Sequence, residues 1–197
     1  MEICLVRHGE TDWNRIGKLQ GHTDIELNTT GITQANTCAD FLLQSNYELV
    51  ITSPLKRAKK TATIIAERNS LPIIEMPIFK ERNYGAAEGL TPEERAVKFP
   101  DLNYPNLESR EALTNRVMLG LEQIRLQQKA TKIIVVAHGA VINSILAAIS
   151  HNEIGTGKTK LANACLSLIR FSENKWQIID YNVVTHLNLG KVDDFVH

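Results

Sequence analysis

Residues 132–139 read KIIVVAHG, and this stretch indicates the fold more clearly than any other part of the chain. A short continuous apolar run of this kind is typical of a buried strand in a parallel sheet that helices cover on both sides. The chain opens in the same way, since residues 2–9 read EICLVRHG. Each run ends at a histidine followed by a glycine. The pattern therefore predicts two buried strands that carry an imidazole to one edge of the sheet.

Strands and helices alternate along the rest of the chain. Apolar spacing predicts helices at about 30–45, 54–69, 108–128 and 139–149, and short strands at 49–53 and 71–75. Residues 165–171 and 176–181 alternate around Ser-Glu-Asn-Lys, which predicts a hairpin. We expect an α/β fold, a three-layer sandwich with a mostly parallel central sheet flanked by helices, plus a C-terminal β-hairpin. One domain should span residues 1–197, with a loop and helix insertion at about 76–107.

Composition excludes several classes of partner. Lys and Arg together number 22, as do Asp and Glu, so the formal net charge is zero. A general nucleic-acid or membrane-surface binder would show a basic excess, and we expect neither partner. Three widely spaced cysteines indicate reduced thiols, no signal peptide is recognisable, and no apolar run approaches the roughly 18 residues of a membrane span. These features favour a cytoplasmic protein, and they leave homo-oligomerisation open.

Charged side chains stand at or near the ends of the expected elements. They are Arg7 and His8 after the first strand, Arg57 at the start of a helix, Glu81 in the insertion and His138 after KIIVVA. Ligands of open α/β sheets bind outside the carboxyl ends of the strands. Arginine forks can clamp a phosphoryl group, a neutral imidazole can attack phosphorus, and a protonated carboxyl group can protonate the leaving oxygen. Each residue alone also fits an ordinary surface or core position, but together they favour phosphoryl transfer that needs no metal.

Five motifs follow one another between residues 3 and 145. They are LVRHGETDWN at 5–14, Gln20-Gly21 with Asp24…Leu27-Asn28…Gly31, SPLKRAKKTA at 53–62, ERNYGAAEG at 81–89 and VVAHGAVI at 135–142. In this order they resemble the histidine phosphatase superfamily, in its phosphoglycerate-mutase-like branch. The chain most resembles the small bacillus-type broad-specificity phosphatases of that branch. The resemblance implies hydrolysis of small organic phosphomonoesters without a metal or another cofactor.

The resemblance also implies roles for particular residues. His8 would be the nucleophile that becomes phosphorylated, and Glu81 would donate the proton to the leaving oxygen. In the acid-phosphatase branch an aspartate follows the second histidine and donates that proton, whereas Gly139 and Ala140 follow His138 here. The other positions that the resemblance assigns to the phosphate or the substrate are Arg7, Asn14, Gln20, Gly21, Arg57, Tyr84, His138 and Gly139. Of these, Arg7, Arg57 and His138 would take part in catalysis, and Gly9 and Gly139 would let the backbone approach the anion.

The choice between a phosphatase and a mutase depends on residues 84–107. Phosphoglycerate mutases carry a lysine and an adjacent arginine pair there for a second acidic group, whereas Arg95 and Lys98 are the only basic residues of this segment. We therefore expect a phosphatase with a partly apolar substrate pocket. Candidate walls of that pocket are Ile25, Tyr84, Leu90, Tyr104 and Leu107.

Four other functions are weighed against this one. Phosphoglycerate mutase and α-ribazole phosphatase share the motifs. A non-catalytic phosphate-binding regulatory module would keep the fold but typically lacks one of the core residues, all of which are present here. A metal-dependent hydrolase could draw ligands from His8, Glu10, His22, Asp24 and His138, but no HxxxH or HExxH spacing supports it.

Overall fold

The computed structural model describes residues 1–188, so residues 189–197 of the expected domain lie outside the described part. Its centre is a six-stranded sheet with the order β3-β2-β4-β1-β5-β6. The strands are β1 (Glu2–Arg7), β2 (Leu49–Thr52), β3 (Ile73–Glu75), β4 (Lys132–Ala137), β5 (Leu166–Ser172) and β6 (Lys175–Val183). The first four strands pair in parallel, whereas β5 pairs antiparallel with both β1 and β6. The expected α/β class, with its mostly parallel sheet and C-terminal hairpin, is confirmed.

Alternation along the central strands divides the core into two layers. In β4, Ile133 and Val135 pack on one face of the sheet with residues of the helices that follow the insertion, while Ile134 and Val136 pack on the opposite face. Both faces are buried, which is why the run KIIVVA shows no polar position after its first residue. The sheet is therefore the middle of three layers.

In the part of the chain that the structure describes, six α-helices surround the sheet or lie in the connections. They are α1 (Asp12–Arg15), α2 (Thr29–Leu42), α3 (Lys56–Asn69), α4 (Pro92–Lys98), α5 (Arg110–Gln127) and α6 (Gly139–Ile149). Helices α2 and α3 cover one face, and α5 and α6 cover the other. Short 3-10 turns occupy Pro77–Phe79, Gly85–Ala87 and Thr185–Asn188. The segment at 76–107 thus holds two of these turns and α4, the single short helix that the sequence predicts there.

Two local expectations are wrong in detail. The sequence predicts a loop at residues 8–28, which are rich in Gly, Asp and Asn, but Thr11 and Asn14 form a reciprocal capping box that starts the one-turn helix α1. Pro54 was expected as the first residue of a helix, yet α3 begins at Lys56 after the extended Leu55. Within residues 1–188, no helix is long and apolar enough to cross a membrane.

Candidate active site

Two histidines meet at the carboxyl edge of the sheet. Strands β1 and β4 pair in parallel with Arg7 opposite Ala137, so the residues that follow them, His8 and His138, stand side by side. Their ring centroids are 5.2 Å apart and the rings are tilted by 59°. Both side chains are almost fully buried. The sequence prediction that two strands deliver imidazoles to one place matches this geometry.

The His8 ring has a defined proton arrangement. Its Nδ1 lies 2.7 Å from the carbonyl oxygen of Gly9. A carbonyl oxygen only accepts, so Nδ1 carries the hydrogen and Nε2 keeps its lone pair. Burial, and then the positive charges of Arg57 and Arg7, hold the pKa of His8 well below its usual value. The ring is therefore neutral near pH 7, with a free lone pair on Nε2, as a nucleophile requires.

The His138 ring is fixed by a serine that the sequence motif contains but to which no role was assigned. Its Nε2 lies 2.8 Å from Ser53 Oγ, and the backbone N–H of Leu55 donates to the same oxygen at 3.3 Å. With one lone pair of Oγ taken by Leu55, the hydroxyl hydrogen is free to point at Nε2. The contact holds the ring in place in either tautomer, since Oγ can also accept through its second lone pair. The other ring nitrogen, Nδ1, is buried and has no partner among residues 1–188. Burial lowers the pKa of His138 well below its usual value, with Arg57 and His8 adding to the effect.

Arg57 is held from behind by backbone carbonyl groups. Its Nη2 donates to Gly21 O at 2.8 Å and its Nη1 to Thr23 O at 2.9 Å, and the side chain is fully buried. Its Nε is buried and meets no acceptor within the described residues. Burial lowers the pKa of Arg57, although the nearby carboxylate of Glu81 opposes this shift. A guanidinium that stays charged here is an anchored cation whose Nε–H still lacks an acceptor.

Arg7 is oriented in the same manner from the other side. One of its terminal nitrogens donates to the carbonyl oxygen of Leu161, and its buried Nε has no partner in the described part of the chain. Burial lowers the pKa of Arg7, and the charge of Glu81 again works in the opposite direction. Both arginines therefore carry an Nε–H without an acceptor in the described part of the chain, and their positive charges lower the pKa of both histidines.

Glu81 sits against the start of α6. Its Oε1 accepts from the backbone N–H of Arg82 at 2.9 Å, and its Oε2 accepts from the backbone N–H of Ala140 at 3.3 Å. Ala140 is the second residue of α6, so the carboxyl group is near the two residues that follow His138. The carbonyl oxygen of Glu81 is held by His22 Nε2 at 2.8 Å and by Arg116 Nη2 at 3.1 Å.

Sequence reasoning missed the support beneath Glu81. Arg116 forms a forked pair with Glu108, with Nε–Oε1 at 2.6 Å and Nη2–Oε2 at 3.0 Å, and its Nη1 donates to Ile78 O at 2.6 Å. Burial raises the pKa of Glu108, but the hydrogen bond and charge of Arg116 outweigh it and leave the pKa below its usual value. Glu108 and Arg116 lie outside the quoted motifs, and Arg116 is 35 positions from Glu81, so no local signal indicates them.

Glu88 is a second support that was overlooked, although it belongs to the motif ERNYGAAEG. Its Oε1 accepts from the backbone N–H groups of His22 at 2.9 Å and Tyr84 at 3.1 Å. Its Oε2 accepts from the backbone N–H of Thr23 at 3.0 Å and from the Thr23 hydroxyl at 2.7 Å. Glu88 thus ties Tyr84 to the turn whose carbonyl groups hold Arg57.

The amides predicted to contact phosphate have free polar atoms. Asn14 Oδ1 accepts from Thr11 N at 3.1 Å, Thr11 Oγ1 at 3.0 Å and Asn163 Nδ2 at 3.2 Å. The amide nitrogen of Asn14 is therefore the atom left for a ligand. Gln20 is buried, and its Oε1 finds no partner within residues 1–188.

The glycines of the motifs serve packing more than approach to an anion. A Cβ on Gly9 would lie 2.4 Å from Gly31 O, and one on Gly21, which has φ +52°, would lie 2.0 Å from Glu88 Oε1. A Cβ on Gly139 would meet Arg7 Nε at 3.6 Å, an ordinary contact. Gly9 is therefore needed against the backbone of α2, and the approach of its backbone to an anion stays a prediction. The structure shows no crowding at Gly139 that would require a glycine.

A cavity of about 640 Å³ opens over these groups. The predicted residues that line it are Arg7, His8, Asn14, Gln20, Gly21, Arg57, Glu81, Tyr84 and Gly139. His138 is not part of the lining and lies fully buried beside His8. Burial raises the pKa of Tyr84, so its hydroxyl keeps its hydrogen in the cavity wall.

The expected pocket walls are only partly correct. Tyr84 lines the cavity, but Ile25, Leu90, Tyr104 and Leu107 do not. Its apolar lining comes from Leu19, Leu113, Ala140 and Leu161. The cations that line the pocket come from outside residues 84–107, so the pocket is positively charged although that segment holds few basic residues.

The candidate metal ligands are engaged elsewhere. His22 Nε2 contacts Glu81 O, Asp24 Oδ1 accepts from Lys56 N at 2.7 Å, and Glu10 Oε1 accepts from Asn28 Nδ2 at 2.9 Å. Across the part of the chain that the structure describes, no group of three or more His, Cys, Asp or Glu side chains is placed to hold a metal ion.

Comparison with known proteins gives one consistent family. A phosphatase of Bacillus subtilis named PhoE, described as uncharacterized, is 50% identical over 186 residues, which cover 94% of this chain and 96% of PhoE. The metal-independent phosphoserine phosphatase of Arabidopsis thaliana is 38% identical and covers 95% of this chain and 83% of its own. The solved structure of Bacillus stearothermophilus YhfR shares the fold with a TM-score of 0.88 at 22% identity, over 94% of this chain and 98% of that one. Residues 3–184 match the histidine phosphatase superfamily (branch 1), and the chain belongs to that family.

Proposed function

We propose that this protein hydrolyses small organic phosphomonoesters without a metal, through a phosphohistidine on His8. One observation carries the proposal. The contact from Nδ1 to Gly9 O leaves the lone pair of His8 on Nε2, in a cavity that Arg7 and Arg57 also line, and the buried Nε–H groups of both arginines lack acceptors among the described residues. An incoming phosphoryl group would satisfy both donors. The phosphatase names of the relatives support the same reaction class.

The first step would transfer the phosphoryl group to the enzyme. The lone pair of His8 Nε2 attacks phosphorus, and the bond from phosphorus to the leaving oxygen breaks. Glu81, in its carboxylic acid form, gives its proton to that oxygen, so the alcohol leaves neutral. Arg7, Arg57 and the Asn14 amide nitrogen would hold the three phosphoryl oxygens as their charge rises. The Nδ1–H of the neutral His138 ring would add a further donor.

The second step would return the enzyme to its starting state. Water attacks the phosphorus of phosphohistidine while the Glu81 carboxylate takes one of its protons. The bond from phosphorus to Nε2 breaks, its electron pair returns to the ring, and inorganic phosphate leaves. Each group then holds the proton count with which it began.

We place the enzyme in the cytoplasm, in keeping with the three buried free cysteines at positions 4, 38 and 165.

The test is phosphate release from p-nitrophenyl phosphate in the presence of excess EDTA. We expect turnover that EDTA does not change, and a loss of at least about a thousandfold in His8→Asn. The control is His151→Asn at an exposed histidine with φ +52°, a conformation that asparagine tolerates, and it should retain full activity. Activity abolished by EDTA and restored by a metal would refute metal independence. Wild-type turnover in His8→Asn would refute the nucleophile.

The competing mutase function has its own measurement. With 3-phosphoglycerate and a catalytic amount of 2,3-bisphosphoglycerate, a mutase forms 2-phosphoglycerate rapidly without releasing phosphate. We expect phosphate release instead. A non-catalytic binding module would do neither, and an α-ribazole phosphatase would rank α-ribazole phosphate first in kcat/KM across a panel of metabolite esters.

A further inference from the structure

Five cations line the cavity in addition to the two arginines already described. They are Lys18, Arg82, Arg110, Lys158 and Lys160. Arg57 is fully buried, whereas Arg110, Lys158 and Lys160 are exposed, so these three belong to the mouth of the cavity. The single carboxylate of the lining is Glu81.

The described residues do not balance this positive charge with carboxylates. Within residues 1–188, none of the five cations has a carboxylate within the 4.0 Å of an ion pair. Like charges around a concave surface repel one another and concentrate anions there. The chain as a whole has no net charge, so the excess is local to this cavity. One phosphomonoester carries about two negative charges, and Arg7 with Arg57 already match them.

The position of Arg110 runs against the preference of its own helix. It is the first residue of α5, after the Ser109 cap. A cation at a helix N-terminus meets the positive end of the helix dipole, which is unfavourable. An arginine at this position therefore does not stabilise the helix, but its positive charge would attract an anion in the cavity.

Lys158 and Lys160 lie on the loop after α6, and contacts with α6 and with Arg7 hold this loop in place. Gly155, at φ +97°, packs so closely on α6 that a Cβ there would lie 2.2 Å from Asn143 O. Asn143 Nδ2 donates to Thr159 O at 3.0 Å, and Gly155 N donates to Thr159 Oγ1 at 3.0 Å. At the end of this loop, Leu161 O accepts from Arg7. The loop is thereby fixed both to α6 and to one of the arginines of the phosphoryl site.

We propose that Arg110, Lys158 and Lys160 form a subsite for a second acidic group of the substrate, a carboxylate or a second phosphate. The substrate class is then a phosphomonoester with an anionic far end, and not a neutral alkyl or aryl phosphate. This inference rests on the proposed function, because it assumes that the phosphoryl group to be removed lies at His8.

Matched pairs of esters test the subsite. Glycerol 3-phosphate and 3-phosphoglycerate share a carbon skeleton and differ by a hydroxymethyl group in place of a carboxylate. Fructose 6-phosphate and fructose 1,6-bisphosphate differ by a second phosphate. In at least one pair we expect the more acidic ester to have a kcat/KM at least about tenfold higher. The pair that shows the preference identifies the acidic group.

The triple variant Arg110→Gln, Lys158→Gln and Lys160→Gln should bring that ratio to within about twofold of one. Its kcat/KM for glycerol 3-phosphate should stay close to the wild-type value, because no residue that holds the phosphoryl group has changed. Lys129→Gln, at an exposed lysine outside the cavity, is the matched charge control and should keep the preference. Ratios near one in the wild type, or a preference that survives in the triple variant, would overturn the subsite.

The same pairs can be titrated by calorimetry into His8→Asn, which binds without turnover. A preference in Kd for the acidic ester that the three cavity substitutions abolish supports the subsite even if wild-type hydrolysis fails. Equal Kd values within both pairs contradict it. Absence of hydrolysis from all four esters and from p-nitrophenyl phosphate would instead count against the proposed function, so the two failures are distinguishable.

Discussion

Removing the Ser53 hydroxyl tests whether the His138 ring is oriented for a task at phosphorus. In Ser53→Ala the fully buried Nε2 of His138 loses its partner at 2.8 Å, and Leu55 N loses a weaker one at 3.3 Å. Leaving a buried polar atom unsatisfied costs about 1–3 kcal/mol. The ring also loses the contact that holds it in its orientation. If this cost falls on the transition state, kcat/KM decreases by about 5- to 150-fold.

The assay is kcat/KM for p-nitrophenyl phosphate, with Tm measured alongside. Ser167→Ala is the matched control, since Ser167 is also fully buried and its Oγ accepts from Asn182 N at 3.2 Å, but it contacts neither histidine. It should lose stability with little loss of activity. In a His138→Ala background the Ser53 substitution should change kcat/KM by less than about twofold, because the group that Ser53 orients is gone. Wild-type activity in Ser53→Ala, or effects of the two substitutions that simply multiply, would refute the reasoning.

Three further outcomes follow from the geometry. Gly9→Ala places a Cβ 2.4 Å from Gly31 O, and the backbone shift that follows must displace the Gly9 carbonyl group that orients His8. A shift of about 1 Å can lower kcat/KM by about a hundredfold. Near-normal steady-state rates in this variant would contradict the expectation. The pKa of His8 is lower in the folded state than its ordinary value of 6.5, so the free energy of unfolding that this shift contributes is present above pH 6.5 and declines as the pH falls toward the folded pKa. In denaturation measured across pH, this decline should be shallower in His8→Asn. NMR of the ring nitrogens of the wild type should show a neutral His8 ring well below pH 6.5. Glu108→Gln removes the carboxylate that holds Arg116 under Glu81, so we expect a stability loss of about 1–3 kcal/mol and a lower kcat, with KM for p-nitrophenyl phosphate less affected.

The parts of the site that the sequence predicts are those attached to regular elements. The apolar runs before His8 and His138 could be recognised because a strand buried on both faces has no polar position. Parallel pairing then puts the ends of both strands at one edge without further information. Arg57 and Glu81 were predicted from their places at or near the ends of elements, but their particular roles came from the resemblance, since nothing local separates a catalytic arginine from the basic run on α3.

The parts that sequence reasoning missed depend on tertiary contacts. Arg110 and Lys158 are 48 positions apart by their numbers and converge only because α5 and the loop after α6 meet at the cavity. Ser53 lies inside a quoted motif, yet its role requires His138, which is distant in sequence. Helix α1 was overlooked because Asn14, and not the Glu or Gln of the common capping box, completes its cap.

The most direct measurement of the central claim is trapping of the phosphoenzyme. Enzyme mixed with a substrate labelled in its phosphoryl group is quenched in alkali within one turnover, digested and examined by mass spectrometry. The account predicts label on the peptide that contains His8, lost in acid and absent from His8→Asn. Turnover with no label on that peptide, or label on another residue, would contradict it.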